Sequence, residues 1–255
     1  MKRAADAALA ALGVLVIIAA VYVSKHNGPS DAATVNTGVP ANIAPPTGST
    51  RPGSTLSPSA SSGTGTSAAA GVREKVVAFL GDEWTAGAGA SAKANRFASL
   101  LSSHLHVRQR NFGADGAGYG SSSGGYESLV AKVVAAHPDV VIVSGGRNDL
   151  SPGHDLTATP DEVDRLFADL RAGLPNAQLI AVAPFWGDSD LPKALVKLGG
   201  EVKDAVTAAH GTYLDMEDPI HGHPGLMADD VDPNDQGHAA IAAALEPKVV
   251  PLLAG

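Results

Sequence analysis

From residue 72 onward, short and continuously apolar runs alternate with longer amphipathic ones. "VVAFL" (Val76 to Leu80), "PDVVIVSGG" and "AQLIAVAPFW" are apolar and β-branched at their centres, so each predicts a strand buried on both faces. "HVRQRNF" and "GTYLD" are shorter and more polar and predict two further strands. Helices are predicted over Ala92 to Leu105, Tyr126 to Ala136, Leu191 to Ala209 and Pro233 to about Leu253. The segment "TPDEVDRLFADLRAGLPNA" carries the clearest helix signals. Thr159 reads as its N-cap, Pro160 as its first helical residue and Glu162 as the partner in a capping box, while Gly173 and Pro175 end it. Pro247 and Pro251 predict a bend or break near the end of the last helix. Repeated βα units with continuous apolar strands imply a parallel sheet covered on both faces, a three-layer α/β/α fold. No internal repeat is visible.

The amino terminus has a different pattern. Lys2 and Arg3 precede an apolar run from Ala4 to Val23 that is interrupted only by Asp6. As a helix rising about 1.5 Å per residue, this run matches the ~30 Å of a bilayer core. The basic flank places the amino terminus in the cytoplasm and the rest of the chain outside it. "AAVYVSKHNG" offers no clear small-x-small cleavage site, and no cysteine is present for lipid attachment. Residues 1–26 are therefore expected to form an uncleaved signal-anchor in the cell membrane, with a cleaved, secreted form as the alternative. Residues 27–71 are rich in Pro, Ser, Thr, Gly and Ala and read as a disordered linker, which as a random coil would reach on the order of 40 Å. Residues 72–255 then form one folded domain.

Charge and composition narrow the function. The formal net charge of −8, with no Lys/Arg cluster, argues against a nucleic-acid surface. The absence of cysteine excludes disulfides and thiol chemistry. With 44% hydrophobic and 17% charged residues the chain can bury one core, and a monomer is expected.

The candidate chemistry lies in the loops after the predicted strands. Four motifs, "FLGDEWTAG", "NFGADGAGYG", "VSGGRNDL" and "DDVDPNDQGHAAIA", occur in that order. Together they resemble the SGNH (GDSL-type) hydrolase family over Val72 to Gly255, which implies a flavodoxin-like parallel sheet. The family works by a serine attacking an ester carbonyl, a histidine taking its proton, an aspartate orienting the histidine, and Gly and Asn donors holding the oxyanion. The resemblance implies that Gly116 and Asn148 are the oxyanion donors and Asp229 the orienting aspartate. It places Glu83 at the serine position and Asp232 at the histidine position. In a second register Asp235 and His238 form the Asp-x-x-His pair, but at i, i+3 on a helix they read as packing or capping. Thr85 and Ser91 are the nearest hydroxyls to Glu83, and neither occupies the exposing turn.

Two functional readings follow. One is an envelope protein, inactive as a serine esterase, that binds a cell-envelope glycan, an acylated small molecule or an envelope protein. The other is a hydrolase using Glu83, Asp229 and Asp232 as a carboxylate-based site. A scaffold with no ligand is the bland third. Arg147 is the candidate cation for these carboxylates, and Trp84 and Trp186 either line the cleft or pack. Asp232 before Pro233 also reads as an N-cap, and Asn148 and Asp149 as residues holding their own loop. His221 and His223 lack an identifiable third ligand and read as loop residues, so no metal and no cofactor is expected. His104, His106, His137 and His210 read as surface or helix-end residues.

Overall fold

The computed structural model describes residues 73–120, 124–150 and 159–254; the expected anchor and linker lie outside them. Five strands, β1 Val76–Gly81, β2 Arg108–Gly113, β3 Val140–Ser144, β4 Gln178–Val182 and β5 Thr212–Leu214, form one sheet in the order β2-β1-β3-β4-β5. Every neighbouring pair is parallel. This is the flavodoxin-like order, and its switch point lies between β1 and β3, where ligands meet the carboxyl ends of the strands.

The apolar runs form central strands because both of their faces are covered. Ala78, Leu80, Val141, Val143, Leu179 and Ala181 face a core completed by α3 (Val130–Ala135), α4 (Thr159–Gly173) and α5 (Lys193–Ala208). Val77, Phe79, Val140, Ile142, Ile180 and Val182 face α2 (Phe97–His104) and α6 (Asp235–Leu253). A four-residue helix, α1 (Glu83–Ala86), follows β1.

Several expected boundaries move. The helix expected over residues 92–105 divides into a 3-10 turn, Lys93–Asn95, and α2, because Arg96 between them is extended (φ −67, ψ 143). The segment beginning at Tyr126 enters as a 3-10 turn, Tyr126–Leu129, before α3. Helix α4 includes Thr159 as its first residue, one position earlier than expected. Helix α6 runs unbroken through Pro247 and Pro251, where a bend or a break was expected. Leu245 and Val249, which flank Pro247, are fully buried, and this packing holds the helix despite a proline cost of about 3 kcal/mol. Nor does Asp232 cap α6. Asn234 does so, accepting from the N–H groups of Gln236 at 2.9 Å and Gly237 at 3.0 Å.

The helix-end reading of three histidines matches the backbone. His106, His137 and His210 follow α2, α3 and α5 in the left-handed conformation (φ 52, 46 and 55) and turn the chain into β2, β3 and β5. No helix among the described residues is long and apolar enough to cross a membrane.

Candidate functional site

The site begins where β1 ends. At Gly81 an added Cβ would collide with the Thr85 side chain and the Ser144 carbonyl, so only glycine lets β1 and β3 close on each other here. Asp82 then caps α1 by accepting the Trp84 N–H at 3.1 Å, and Gly87 (φ 99) ends that helix. The sequence reading treated this stretch as loop. The capping Asp with a Gly five residues on was the signal available for α1.

Glu83 is the first residue of α1, and its side chain is only 15% exposed. Its Oε2 accepts from Asn148 Nδ2 at 2.7 Å, and its Oε1 lies 4.0 Å from Arg147 Nη1. Asn148 Nδ2 also donates to the Ala117 carbonyl at 2.8 Å. A side-chain amide has two protons, so both are engaged.

Arg147, Asn148 and Asp149 share a 3-10 turn, Arg147–Leu150, that follows β3. Asp149 is fully buried and accepts from the N–H groups of Tyr119 at 3.0 Å and Gly120 at 2.7 Å. It therefore holds the loop after β2 as well as its own. A Cβ at Gly118 would stand 2.7 Å from the Asp149 carboxylate, which accounts for glycine there. Gly116 belongs to this same loop, in the left-handed conformation (φ 72).

Arg147 is 9% exposed. Its guanidinium carbon lies 4.6 Å from the Trp84 ring centroid and 5.6 Å from that of Trp186. Nη1 donates to the Val231 carbonyl at 2.9 Å, and Trp84 Nε1 donates to the same oxygen at 3.1 Å. The loops after β1, β3 and β4 thus meet on one cation, together with the loop before α6. Trp84 is 3% exposed and is a packing residue as much as a lining one.

Asp229 and Asp232 lie on that last loop. Asp229 is exposed, and its Oδ1 accepts from the N–H groups of Val231 at 2.9 Å and Asp232 at 2.8 Å, a local turn bond. Asp232 is buried at 2% exposure, with its Cβ 3.2 Å from where a Gly89 Cβ would stand. The structure therefore gathers Glu83, Asn148, Arg147 and Trp84 in direct contact, and ties the Asp229–Asp232 loop to them through the Val231 carbonyl.

The second register is structural. His238 is fully buried and stacks on Phe97, with ring centroids 6.2 Å apart. Its Nε2 is 2.9 Å from the Ala88 carbonyl, and its Nδ1 accepts from the Phe97 N–H at 3.3 Å. A carbonyl only accepts and an N–H only donates, so the ring is neutral with its proton on Nε2. Burial pushes its pKa below the usual histidine range, in agreement with a neutral ring. Asp235 accepts from the Ser91 N–H at 2.8 Å, the Ser91 hydroxyl at 2.6 Å and the Asn95 amide at 2.9 Å, so the Asp235–His238 pair anchors residues 88–97. The Thr85 hydroxyl is buried against that of Ser144 at 2.9 Å.

Sequence reasoning missed Asp82 as a titrating group. Its carboxyl is 2% exposed, and desolvation, aided by the neighbouring Glu83 charge, pushes its pKa well above the usual carboxylate range against the opposing pull of Arg147. Tyr126 closes the space beside it, its hydroxyl donating to the Ser144 carbonyl at 3.1 Å. His221 lies 3.1 Å from the Ser189 carbonyl and 3.6 Å from Asp190. Among the described residues no three His, Cys, Asp or Glu side chains gather as a metal would require.

Comparison with known proteins agrees with this architecture. A GDSL lipase of Mycobacterium tuberculosis, Rv0518, is 29% identical over 196 residues, spanning 70% of this chain and 83% of the relative. Among solved structures, the psychrotrophic esterase EstA from a Pseudoalteromonas species superposes with a TM-score of 0.58 at 16% identity, covering 71% of this chain and 100% of that one. A carbohydrate acetylesterase family member from Sinorhizobium meliloti gives 0.57 at 18%, with the same 71% and 100% coverage. Residues 79–240 match the GDSL-like Lipase/Acylhydrolase family, and the chain belongs to that family, the SGNH hydrolases.

Proposed function

We propose that this chain is a membrane-anchored, extracytoplasmic member of the SGNH family that binds an envelope ligand without cleaving it as a serine esterase. The engagement of Asn148 supports this most. Its two amide protons, which the resemblance assigns to an oxyanion, go to Glu83 and to the Ala117 carbonyl. A carboxylate at position 83 supplies no serine oxygen and sets negative charge where the transition state would develop it. Asp232 at the base position has no imidazole to take and return a proton. Losing nucleophile and base together costs roughly 10⁶ in turnover. For the competing carboxylate-based hydrolase, Asp229 is exposed with one oxygen bound to two backbone N–H groups, a poor setting for a tuned acid or base. The names of its relatives, a lipase and a carbohydrate acetylesterase, favour an acylated molecule or a glycan as ligand over a protein.

The test is hydrolysis of p-nitrophenyl acetate and butyrate by the full chain. No turnover above background is expected. Glu83→Ser alone should add little, whereas Glu83→Ser with Asp232→His should give measurable turnover, since the first frees Asn148 and the second supplies a base. Robust hydrolysis by the unmodified chain that Glu83→Gln abolishes would establish the carboxylate enzyme instead. Protease added to intact spheroplasts should remove the domain, and its protection would refute the topology.

A further inference from the structure

A concavity lies away from Glu83, at the carboxyl ends of β4 and β5. It is an open cleft of about 1100 Å³, with α5 on one side, α6 on the other and the edge strand β5 at its base. That is slightly above the roughly 300–1,000 Å³ that ligand sites span. We infer that this cleft is a saccharide-binding site. The inference rests on the binding reading above and names the ligand class and its place.

Three observations carry it. The first is Gly200, exposed in the middle of α5, where glycine is the least favourable residue after proline. Its neighbour Gly199 has a packing reason, since a Cβ there would stand 3.1 Å from the Tyr213 hydroxyl and 3.2 Å from Pro184. Gly200 has none, because nothing lies within 4 Å of where its Cβ would be. The helix is notched on the cleft side without benefit to the fold. One turn away, Val196 is 57% exposed, one of two large apolar side chains so exposed among the described residues, and it borders the same cleft.

The second is the mixture of charge on the lining. Asp190, Asp215, Glu217 and Asp218 stand with Lys203 and Lys248 around an interior that includes Leu195 and Met216. The lining is acidic on balance, which disfavours an anion, and Asp218 is already taken up by backbone N–H groups. The remaining carboxylates and the two lysines suit a ligand whose hydroxyls both donate and accept and whose C–H faces lie on apolar surface. Tyr213 adds a half-buried ring and a phenol that desolvation, with Asp215 nearby, pushes up to about 12, so it stays a neutral donor.

The third is the connection to the Arg147 stack. Asp218, which lines the cleft, accepts from the N–H groups of Trp186 at 2.6 Å, Gly187 at 2.9 Å and Ile220 at 2.9 Å. A ligand seated here therefore bears on the loop that carries Trp186.

The experiment is isothermal titration of the detergent-solubilised full chain with chitohexaose and with cellohexaose. At least one should bind. Gly200→Leu should weaken that binding tenfold or more while leaving the thermal melt unchanged or raised, since leucine favours the helix and its Cβ has open space. Tyr213→Phe should weaken it about threefold or more, and Asp164→Leu on α4 should leave it unaltered. Saccharide binding that Gly200→Leu and Tyr213→Phe do not affect would overturn the cleft while sustaining the binding reading. Failure of both saccharides to bind would overturn the inference, whereas the binding reading stands or falls on the ester assay.

Discussion

The Arg147 guanidinium lies over the Trp84 ring at 4.6 Å and donates to the same Val231 carbonyl as the Trp84 indole. One cation thereby fastens the loop before α6 to the turn after β1. Lysine cannot replace it, having neither the planar face for the ring nor the fork that reaches the carbonyl and Glu83 together. Arg147→Lys should lower stability by about 1–3 kcal/mol, from one lost charged hydrogen bond and one lost cation–π contact. Arg147→Met should cost more because it leaves the Glu83 carboxylate without its cation. In urea denaturation the Glu83→Gln, Arg147→Met double variant should be more stable than the sum of the two single losses implies. Strict additivity would show that the 4.0 Å pair carries no coupling.

How legible the site was depended on whether a group acts through its side-chain type or through the backbone. The three central strands were legible because a run such as Val140 to Val143 is buried at every position and shows it in every residue. Glu83, Arg147 and Asn148 were legible as neighbours because each follows a strand that ends at the switch point. The Val231 carbonyl that accepts twice was not, because a backbone group carries no residue signature. Helix α1 and the Asn234 cap did carry one, Asp82 with Gly87 and the Asn234 side chain, but at Asn234 the neighbouring Asp232-Pro233 offered a competing cap signal. Pro247 misled for the opposite reason, since its local preference is strong and is overridden by Leu245 and Val249 beside it in the core.

His238 makes the sharpest contrast between a structural and a catalytic imidazole. Replacing it with alanine removes two buried hydrogen bonds and opens a cavity beside Phe97. The expected loss is about 2–4 kcal/mol, with the Ala88 carbonyl and the Phe97 N–H left unsatisfied. The wild-type pH dependence carries the same signature. The folded pKa is lowered, so the stability from keeping this ring neutral is present above the unfolded value near 6.5 and is lost as pH falls through the folded value. His238→Ala should lose that part of the acid limb in a melting series. A variant as stable as wild type would show that the ring is not anchored as described.

The left-handed histidines give a backbone test. His137 sits at φ 46 after α3, in a conformation that glycine adopts without penalty and β-branched residues resist. His137→Gly should be neutral or stabilising by up to about 1 kcal/mol, and His137→Val destabilising by about 1–2 kcal/mol. Chemical denaturation of the pair decides it. Equal stability of the two would mean that the turn relaxes out of the left-handed region.

Asp82 should shape the stability profile above the ordinary carboxylate range. Its folded pKa is raised, so in the interval between the ordinary carboxylate value of 3.8 and the folded value the native state binds a proton that the unfolded chain releases. Stability from this group is fully present below the unfolded value and declines as pH rises through that interval. Asp235 works in the opposite direction: its bonds from the Ser91 side chain and backbone lower its pKa, so its contribution is present above the unfolded value and is lost as pH falls. Asparagine at position 82 keeps an oxygen to accept the Trp84 N–H but never ionises. Asp82→Asn should therefore raise the melting temperature at neutral and mildly alkaline pH, change it little below the ordinary carboxylate range, and flatten the profile between. The acid limb, set by Asp235 and His238, should survive the substitution. A uniform loss of stability at every pH would mean that Asp82 is held as a carboxylate by Arg147 and the α1 amides, with desolvation the weaker influence.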